Sequence, residues 1–503
     1  MKFITKMWNE KPFPFILFLA CFVRLIAVIF SKGYGWHDDH FLVIEASKSW
    51  ADGYDYNHWL PVEGQSAPTP SGHSFFYAGL HYFLFCFLKL IHITDPQSQM
   101  YVVRLIHALL SLVTVYCGYK IAFKIAGEKT AKAVGLLFAI FWIMPFLSVR
   151  NLVEFVCVVP MIAATWMVIK REEEKRIMPY IWAGILLGIA FSIRFQTIMF
   201  TGGFGLALLC LKRFKEATVL GVLFLIVAAG VQGLTDFYIW GKPFVEFQEY
   251  VRYNMENAQE YIVLQWYTYI LFLLGILVPP ISIFLFFGFL RNWKKQVLLF
   301  LPSFIFLVFH SYFPNKQERF ILPILPFIIL LGTIGWNDFV EKSRYWQNHK
   351  KLLRGFYVWF WSLNTILLLV ISFAYSKRNR VEAMTYIAHK GDVTYILVED
   401  SNRDGFLMPP LFYLQKWGPV YGITQNNLAE SFAKQYAALK PEERPNYVVF
   451  MQHENIEQRV ADMKKYFPTL TYEATIEPSF IDKTMHWLNP VNKNQTTYIY
   501  KIN

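Results

Sequence analysis

"HSFFYAGLHYFLFCFLKLIHI", residues 73–93, decides the topology of this chain. It is as apolar as a membrane span, and only its surroundings tell a span from a helix lying flat. Basic residues gather in six places: Lys2, Lys6 and Lys11; Lys124, Lys129 and Lys132; Lys170, Arg171, Lys175 and Arg176; Lys212, Arg213 and Lys215; Arg291, Lys294 and Lys295; Lys342, Arg344, Lys350, Lys351 and Arg354. Lys and Arg are retained on the cytoplasmic side of a membrane, so an even number of spans must separate any two of these clusters. A span at 73–93 would put Lys124 to Lys132 outside. The segment is therefore expected to lie along the outer interface, which suits its three histidines, Lys89 and several aromatics.

The rest of the chain has the composition that this reasoning assumes. Of 503 residues, 55% are hydrophobic and 17% charged, against about 25% charged in ordinary soluble domains. Apolar runs able to span about 30 Å of hydrocarbon recur from Pro14 almost to Ser376. Spans are expected near 13–31, 101–124, 131–149, 152–169, 178–194, 196–211, 217–236, 267–290, 296–312, 321–336 and 355–375. That makes an all-α polytopic membrane protein of about eleven helices, with the N terminus inside. The first segment is read as a retained span because it contains Arg24 and no small-residue cleavage site follows it. Beyond residue 376 polar residues rise, and short alternating stretches such as "VTYILVED" and "NYVVFMQ" predict strands. Two domains follow: residues 1–376 in the membrane, with an outer first loop at 32–100, and a small α/β domain at 377–503 on the outer side. The net charge of +12 is scattered over loops, which argues against a nucleic-acid partner. All five cysteines sit in apolar segments, so no disulfide framework or zinc spacing is suggested.

Three polar stretches fall on the outer face: the first loop, the loop from Asp236 to Trp266, and "HSYFPNKQERF" at 310–320. Arg150, Glu154, Arg194 and Gln196 sit at outer helix ends beside them. Ionisable residues at membrane depth are expensive, so each is a functional hypothesis. In "GYGWHDDHFLVIEASKSW", residues 33–50, Asp38 and Asp39 precede an amphipathic helix that ends at Gly53. They could cap that helix, act as a general base for an acceptor hydroxyl, or join the flanking histidines around a metal. Adjacent helical residues point about 100° apart, which disfavours the metal. Lys316 and Arg319 lie in a short outer turn where the positive-inside rule disfavours cations. They could snorkel to headgroups, but a bound phosphate is the sharper reading, with His310 or Arg194 assisting. Trp36, Trp50, Trp59, Tyr253, Trp266 and Tyr267 suit an interfacial belt or stacking on sugar rings.

"NKQERFILPILPFI" resembles the His-Lys-Glu-x-Arg-Phe turn and proline-containing helix of the alpha-mannosyltransferases that use dolichyl-phosphate-mannose in N-glycan and GPI-anchor assembly. "DFYIWGKPFVEFQEYVRYNM" (236–255), "IRFQT" (193–197) and "HDDHFLVIEASKSW" are similar to further motifs of that family, in the same order over about residues 10–340. Asn315 and Gln317 stand where the family has His and Glu. The resemblance implies a GT-C glycosyltransferase, an inverting membrane enzyme whose active site faces the lumen or periplasm, with no cofactor or required metal. Carried over by position, it implies Asp38 and Asp39 as the catalytic acids, Lys316 and Arg319 on the donor phosphate, and Asp236, Tyr253, Asn254 and Trp266 on substrate. The expected partners are a polyprenyl-phosphate-linked sugar, a glycan, lipid or protein acceptor, and membrane lipids, in a bacterial inner membrane. A transporter or flippase of lipid-linked sugars, or a ligase or polymerase using a pyrophosphate-linked donor, would share the composition. Neither an internal repeat nor interrupted paired halves point to the transporter.

Overall fold

In hydrocarbon an apolar run has no hydrogen-bond partners but its own peptide groups, so it winds into a helix. Helices dominate the computed structural model, which describes residues 2–56, 58–62, 69–172, 176–260, 262–490 and 492–503, with side chains from residue 5 onward. The middle of the "KREEEKR" run, residues 173–175, lies outside the described residues. Among the described residues, five helices are long and apolar enough to cross a membrane: Pro12–Phe30, Pro96–Ile140, Phe214–Trp240, Glu318–Lys342 and Lys350–Ser372. Shorter apolar helices are Phe75–Leu90, Val153–Ile169, Met178–Ile193, Phe195–Cys210, Ile281–Arg291 and Val297–Tyr312. The ambiguous 73–93 segment is thus a helix of 16 residues.

The chain forms two compact units. Met1–Val28, His58–Leu80 and Val102–Ser372 make the first; Ile29–Asn57, His81–Tyr101 and Phe373–Asn503 make the second. The second unit takes up the chain again at Phe373 and includes parts of the first loop.

Within the first unit, several expected spans are broken where side chains take over the backbone. Pro96–Ile140 covers two of them and breaks at Gly127, whose φ of 75° and ψ of −179° lie where only glycine is comfortable. Its end is fixed by residues remote in sequence. Arg24 donates to the carbonyls of Phe138 and Ala139, each at 3.1 Å, and to Ser111 Oγ at 2.7 Å. Asn364 donates to Ile140 O at 2.9 Å and accepts from Trp142 N at 2.8 Å. The helix expected at 267–290 is two, Thr268–Ile276 and Ile281–Arg291. Pro279 and Pro280 supply no N–H between them. The carbonyls of Ile276 and Pro279 are instead met by the indoles of Trp142 and Trp359, both at 3.0 Å. Ile281–Arg291 then packs so closely on Leu325–Lys342 that a Cβ on Gly288 would stand 2.1 Å from Gly332 O. Small residues at helix contacts serve this purpose in membranes.

The second unit contains a five-stranded mixed sheet: β1 (Tyr395–Asp400), β2 (Val420–Thr424), β3 (Pro445–Met451), β4 (Leu470–Ile476) and β5 (Thr497–Ile502), in the order β2-β1-β3-β5-β4. β1 runs parallel to β2 and β3, while β5 is antiparallel to β3 and β4. "VTYILVED" and "NYVVFMQ" become β1 and β3, as their alternation predicts. Both are buried, and helices Ala429–Ala438 and Ile456–Tyr466 cover a core of Leu397, Val448, Phe450, Phe432 and Met463.

Candidate active site

In the first unit, helix Met178–Ile193 ends where Arg194 takes an extended backbone, φ −147° and ψ 112°, before a 3-10 turn at Phe195–Thr197. Arg194 Nη2 then lies 2.9 Å from Glu154 Oε1. Arg319, in the 3-10 segment Glu318–Ile324, brings Nε to 3.7 Å from the same oxygen. Glu154 has no exposed surface, and the two arginines are 6% and 5% exposed. Two buried guanidiniums thus converge on one carboxylate. Forked cationic donors gathered in a water-poor site are suited to a phosphate. Aromatic rings wall it: Arg194 lies 5.8 Å from the Tyr250 ring and 5.5 Å from that of Phe320. Gln317 Oε1 accepts from Arg319 Nε at 3.0 Å, and Gln196 Nε2 donates to Phe320 O at 3.2 Å.

The neighbouring cation points differently from expectation. Lys316 Nζ donates to the carbonyls of Ser311 at 2.9 Å, His310 at 3.2 Å and Phe313. It thereby satisfies the last carbonyls of helix Val297–Tyr312, and burial draws its ammonium below the usual lysine range. His310 is also buried, with Nδ1 2.8 Å from Phe306 O and its ring stacked on that of Phe306 at 4.0 Å. Two of the three polar stretches expected on the outer face meet, since Lys316 N donates to Ile262 O at 2.9 Å and Val263 bridges Asn315.

The residues expected on substrate have other partners here. Asp236 is fully buried and accepts from Gln232 Nε2 at 2.7 Å and Glu246 N at 3.1 Å. Glu246 completes this network, accepting from Phe75 N at 2.9 Å and Gln232 Nε2 at 2.8 Å. Burial, then the charge of Asp236, pushes the Glu246 carboxyl well above its ordinary pKa. Asn254 donates to Tyr250 O at 2.7 Å, which ties it to the ring beside Arg194. Tyr253 and Trp266 are exposed, Trp266 edge-on to Tyr267 at 5.7 Å. Sequence reasoning placed Glu154 at an outer helix end but gave it no role; a lone acid in "RNLVEFVCVV" was the available signal. Glu246 and Tyr250 carried no signal beyond their polarity.

In the second unit, the acidic motif follows a tight anchor. Gly33, at φ +72°, pairs with Ser376, and a Cβ there would stand 1.9 Å from Ser376 O. Lys377 Nζ holds Gly35 O at 2.6 Å. Asp38 is half-buried and Asp39 buried; the Asp38 side chain makes no capping hydrogen bond to the turn it precedes, and Asp39 stands in the first turn of that segment. The expected amphipathic helix starts instead as a π-helical segment, Asp39–Glu45, and becomes α-helical at Ala46–Ala51 before Gly53. At 3.6 residues per turn, positions five apart point about 140° away from each other. The wider winding brings His40 Nε2 to 3.3 Å from Glu45 Oε1. The His40 imidazole is stacked on Tyr34 at 4.2 Å and on Tyr413 at 5.7 Å, while Glu45 accepts from Phe412 N at 3.0 Å. Burial lowers the His40 pKa and raises that of Glu45, so each is held toward its uncharged form.

Apolar helices around a buried arginine pair, with an acidic first-loop motif and a small sheet domain, define a GT-C type membrane glycosyltransferase. The chain belongs to the Alg9-like mannosyltransferase family, which matches residues 15–398. It is 28% identical over 178 residues to the alpha-1,2-mannosyltransferase ALG9 of Arabidopsis thaliana, and 24% identical over 196 residues to GPI mannosyltransferase 3 of Candida glabrata. These alignments take in 32% and 36% of this chain but only 29% of each relative. Among solved structures, its fold is shared with ArnT from Cupriavidus metallidurans bound to undecaprenyl phosphate, at a TM-score of 0.64 and 12% identity over 98% of both chains. AglB from Archaeoglobus fulgidus, in complex with an inhibitory peptide and a dolichol-phosphate, matches at a TM-score of 0.50 and 11% identity over 94% of this chain and 74% of that one.

Proposed function

We propose that this chain transfers mannose from a polyprenyl-phosphate carrier to an acceptor hydroxyl, with inversion at the anomeric carbon. The observation that carries this reading is the convergence of two buried guanidiniums, of Arg194 and Arg319, on Glu154. A phosphate monoanion or dianion suits two forked donors. Family membership and the polyprenyl phosphates named with ArnT and AglB support the same donor chemistry.

In this reaction the Asp38 carboxylate takes the proton of the acceptor hydroxyl, and the freed oxygen attacks the anomeric carbon from the face opposite the phosphate. The bond between that carbon and the phosphate oxygen breaks, and its electron pair leaves with the polyprenyl phosphate. Arg194 and Arg319 stabilise the charge gained by the leaving group, an effect strongest where water is excluded. Asp39 assists the base or contacts the acceptor. Lys316 joins the donor phosphate by turning from the carbonyls it now caps, and His310 flanks it. Tyr253, Asn254 and Trp266 contact substrate, and Asp236 positions them through Glu246. The protein crosses the membrane about eleven times, in a bacterial inner membrane, with the site on the periplasmic side; residues 377–503 form a periplasmic domain.

The test is to incubate the purified protein with a panel of polyprenyl-phosphate sugars and an acceptor extract. Release of polyprenyl phosphate, fastest with the mannose donor, is expected. Turnover confined to pyrophosphate-linked donors would reject this reading in favour of a ligase or polymerase.

A further inference from the structure

Along the helical segment that opens with Arg319, Asn337 lies 18 residues further on, roughly 27 Å away at 1.5 Å per residue. There the first unit contains a cavity of about 820 Å³. That is within the range of pockets that take a small molecule, about 300 to 1,000 Å³. Leu136, Leu137, Leu285, Phe360 and Trp361 make its wall apolar. Several polar groups of the lining already have partners: Trp336 Nε1 donates to Tyr357 OH at 2.9 Å, Asn337 Nδ2 to Thr130 Oγ1 at 3.2 Å and Thr333 Oγ1 to Ile329 O at 2.7 Å. An apolar chain can enter without breaking these bonds.

The lining turns charged at one side only, and there the charges balance. Lys132 Nζ lies 2.6 Å from Glu128 Oε1 and 5.4 Å from the Trp8 ring, and Lys129 Nζ lies 2.9 Å from Glu341 Oε1. Glu128 is half-exposed and Lys132 is 19% exposed, so this pair borders the opening. A net anion placed there would meet two lysines and two glutamates and gain little. A zwitterion can exchange one ion pair for two, giving its phosphate to Lys132 and its ammonium to Glu128. Arg291, Lys295 and Lys342 gather on Asp338 with a surplus of positive charge, but none of these four lines the cavity.

We propose that this cavity holds one zwitterionic phospholipid, its acyl chain between the apolar walls, its phosphate on Lys132 and its ammonium on Glu128. The site is independent of the transfer chemistry and lies in the leaflet that the lysine-bearing helix ends face.

Native mass spectrometry of the full chain in detergent, titrated with palmitoyl-oleoyl phosphatidylethanolamine or the matching phosphatidylglycerol, tests this. One phosphatidylethanolamine retained per chain is expected, in preference to phosphatidylglycerol. Retention should be lost in Ala133→Trp, whose indole fills the cavity, and weakened at least about fivefold in Lys132→Gln, a rim change that leaves the packing alone. Glu128→Gln should abolish the preference, since the mouth then carries net positive charge. Equal or better retention of phosphatidylglycerol by the wild type overturns the proposal. So does retention unchanged by Lys132→Gln, or a preference unchanged by Glu128→Gln, whether or not Ala133→Trp folds.

Discussion

In the first unit two guanidiniums, of Arg194 and Arg319, share the one carboxylate of Glu154; in the second, the acid of Glu45 faces the imidazole of His40, each held toward its uncharged form. Both clusters are buried, so the contrast lies in their arithmetic. The arginine cluster sets two cations on one anion, and its forked donors suit a phosphate. In the His40 cluster the imidazole is stacked on two tyrosine rings and a backbone amide meets the glutamate. Charged donors mark a place for a ligand, and a neutral pair closed in by rings marks a scaffold, here that of the segment opening with Asp39.

The sharpest break in this contrast is made at the scaffolded acid. Asp38→Asn should fold normally, because the amide keeps the size and shape of the carboxylate and no capping bond is lost. It should lose about 10² to 10⁴ of the transfer rate, the usual worth of a general base. Single-turnover measurements with donor in excess check this, and a rate near wild type removes Asp38 from the chemistry. Arg319→Ala should lower kcat/KM for the donor by about 10² to 10³, the range for removing one donor to a developing anion. A donor titration decides the matter: unchanged saturation in that variant would mean that the arginine does not hold the phosphate.

Glu154→Ala tests the shared carboxylate itself. Removing the shared carboxylate leaves two buried guanidiniums facing each other, and should destabilise the fold by about 3 to 5 kcal/mol. Polyprenyl phosphate should recover part of that loss, since it supplies the missing anion. Thermal unfolding with and without the lipid phosphate reads both. A variant no more responsive to the ligand than wild type would show that the arginines serve Glu154 alone.

Much of this contrast was open to sequence reasoning, and what escaped it has physical causes. The apolar runs, the two strands β1 and β3 and the stop at Gly53 follow from periodicity and turn chemistry, and the expense of charge in hydrocarbon singles out Arg194 and Arg319. The breaks at Ile140 and at Pro279 depend on Arg24, Asn364, Trp142 and Trp359, contributed by other helices, and no local pattern encodes such caps. The π-helical winding of Asp39–Glu45 escaped for the same reason: a residue string does not show that Tyr34, Phe412 and Tyr413 will hold His40 and Glu45 on one side. Glu154 was visible as a lone acid but not as the acid that two distant arginines share.

The smallest expected effect tests whether the second cluster is as closed as it looks. Glu45 keeps its proton above the ordinary value of 4.5, so as pH rises from there the unfolded chain releases a proton that the folded chain retains. Stability then falls with rising pH until the native group ionises, by at most about 1.4 kcal/mol per pH unit. His40 works from the other side. Its native pKa lies below the ordinary 6.5, so as pH falls through that value the unfolded chain gains a proton that the folded chain refuses, and stability falls again. Wild type should therefore be most stable between the two limits. Glu45→Gln keeps the hydrogen-bonding shape, removes the loss on the alkaline side and leaves the acid side as it was. Melting temperatures of both proteins from pH 5 to 9 should diverge steadily as pH rises. Parallel curves would mean that Glu45 is ionised in the native state, and the second unit would then carry a buried charge as the first one does.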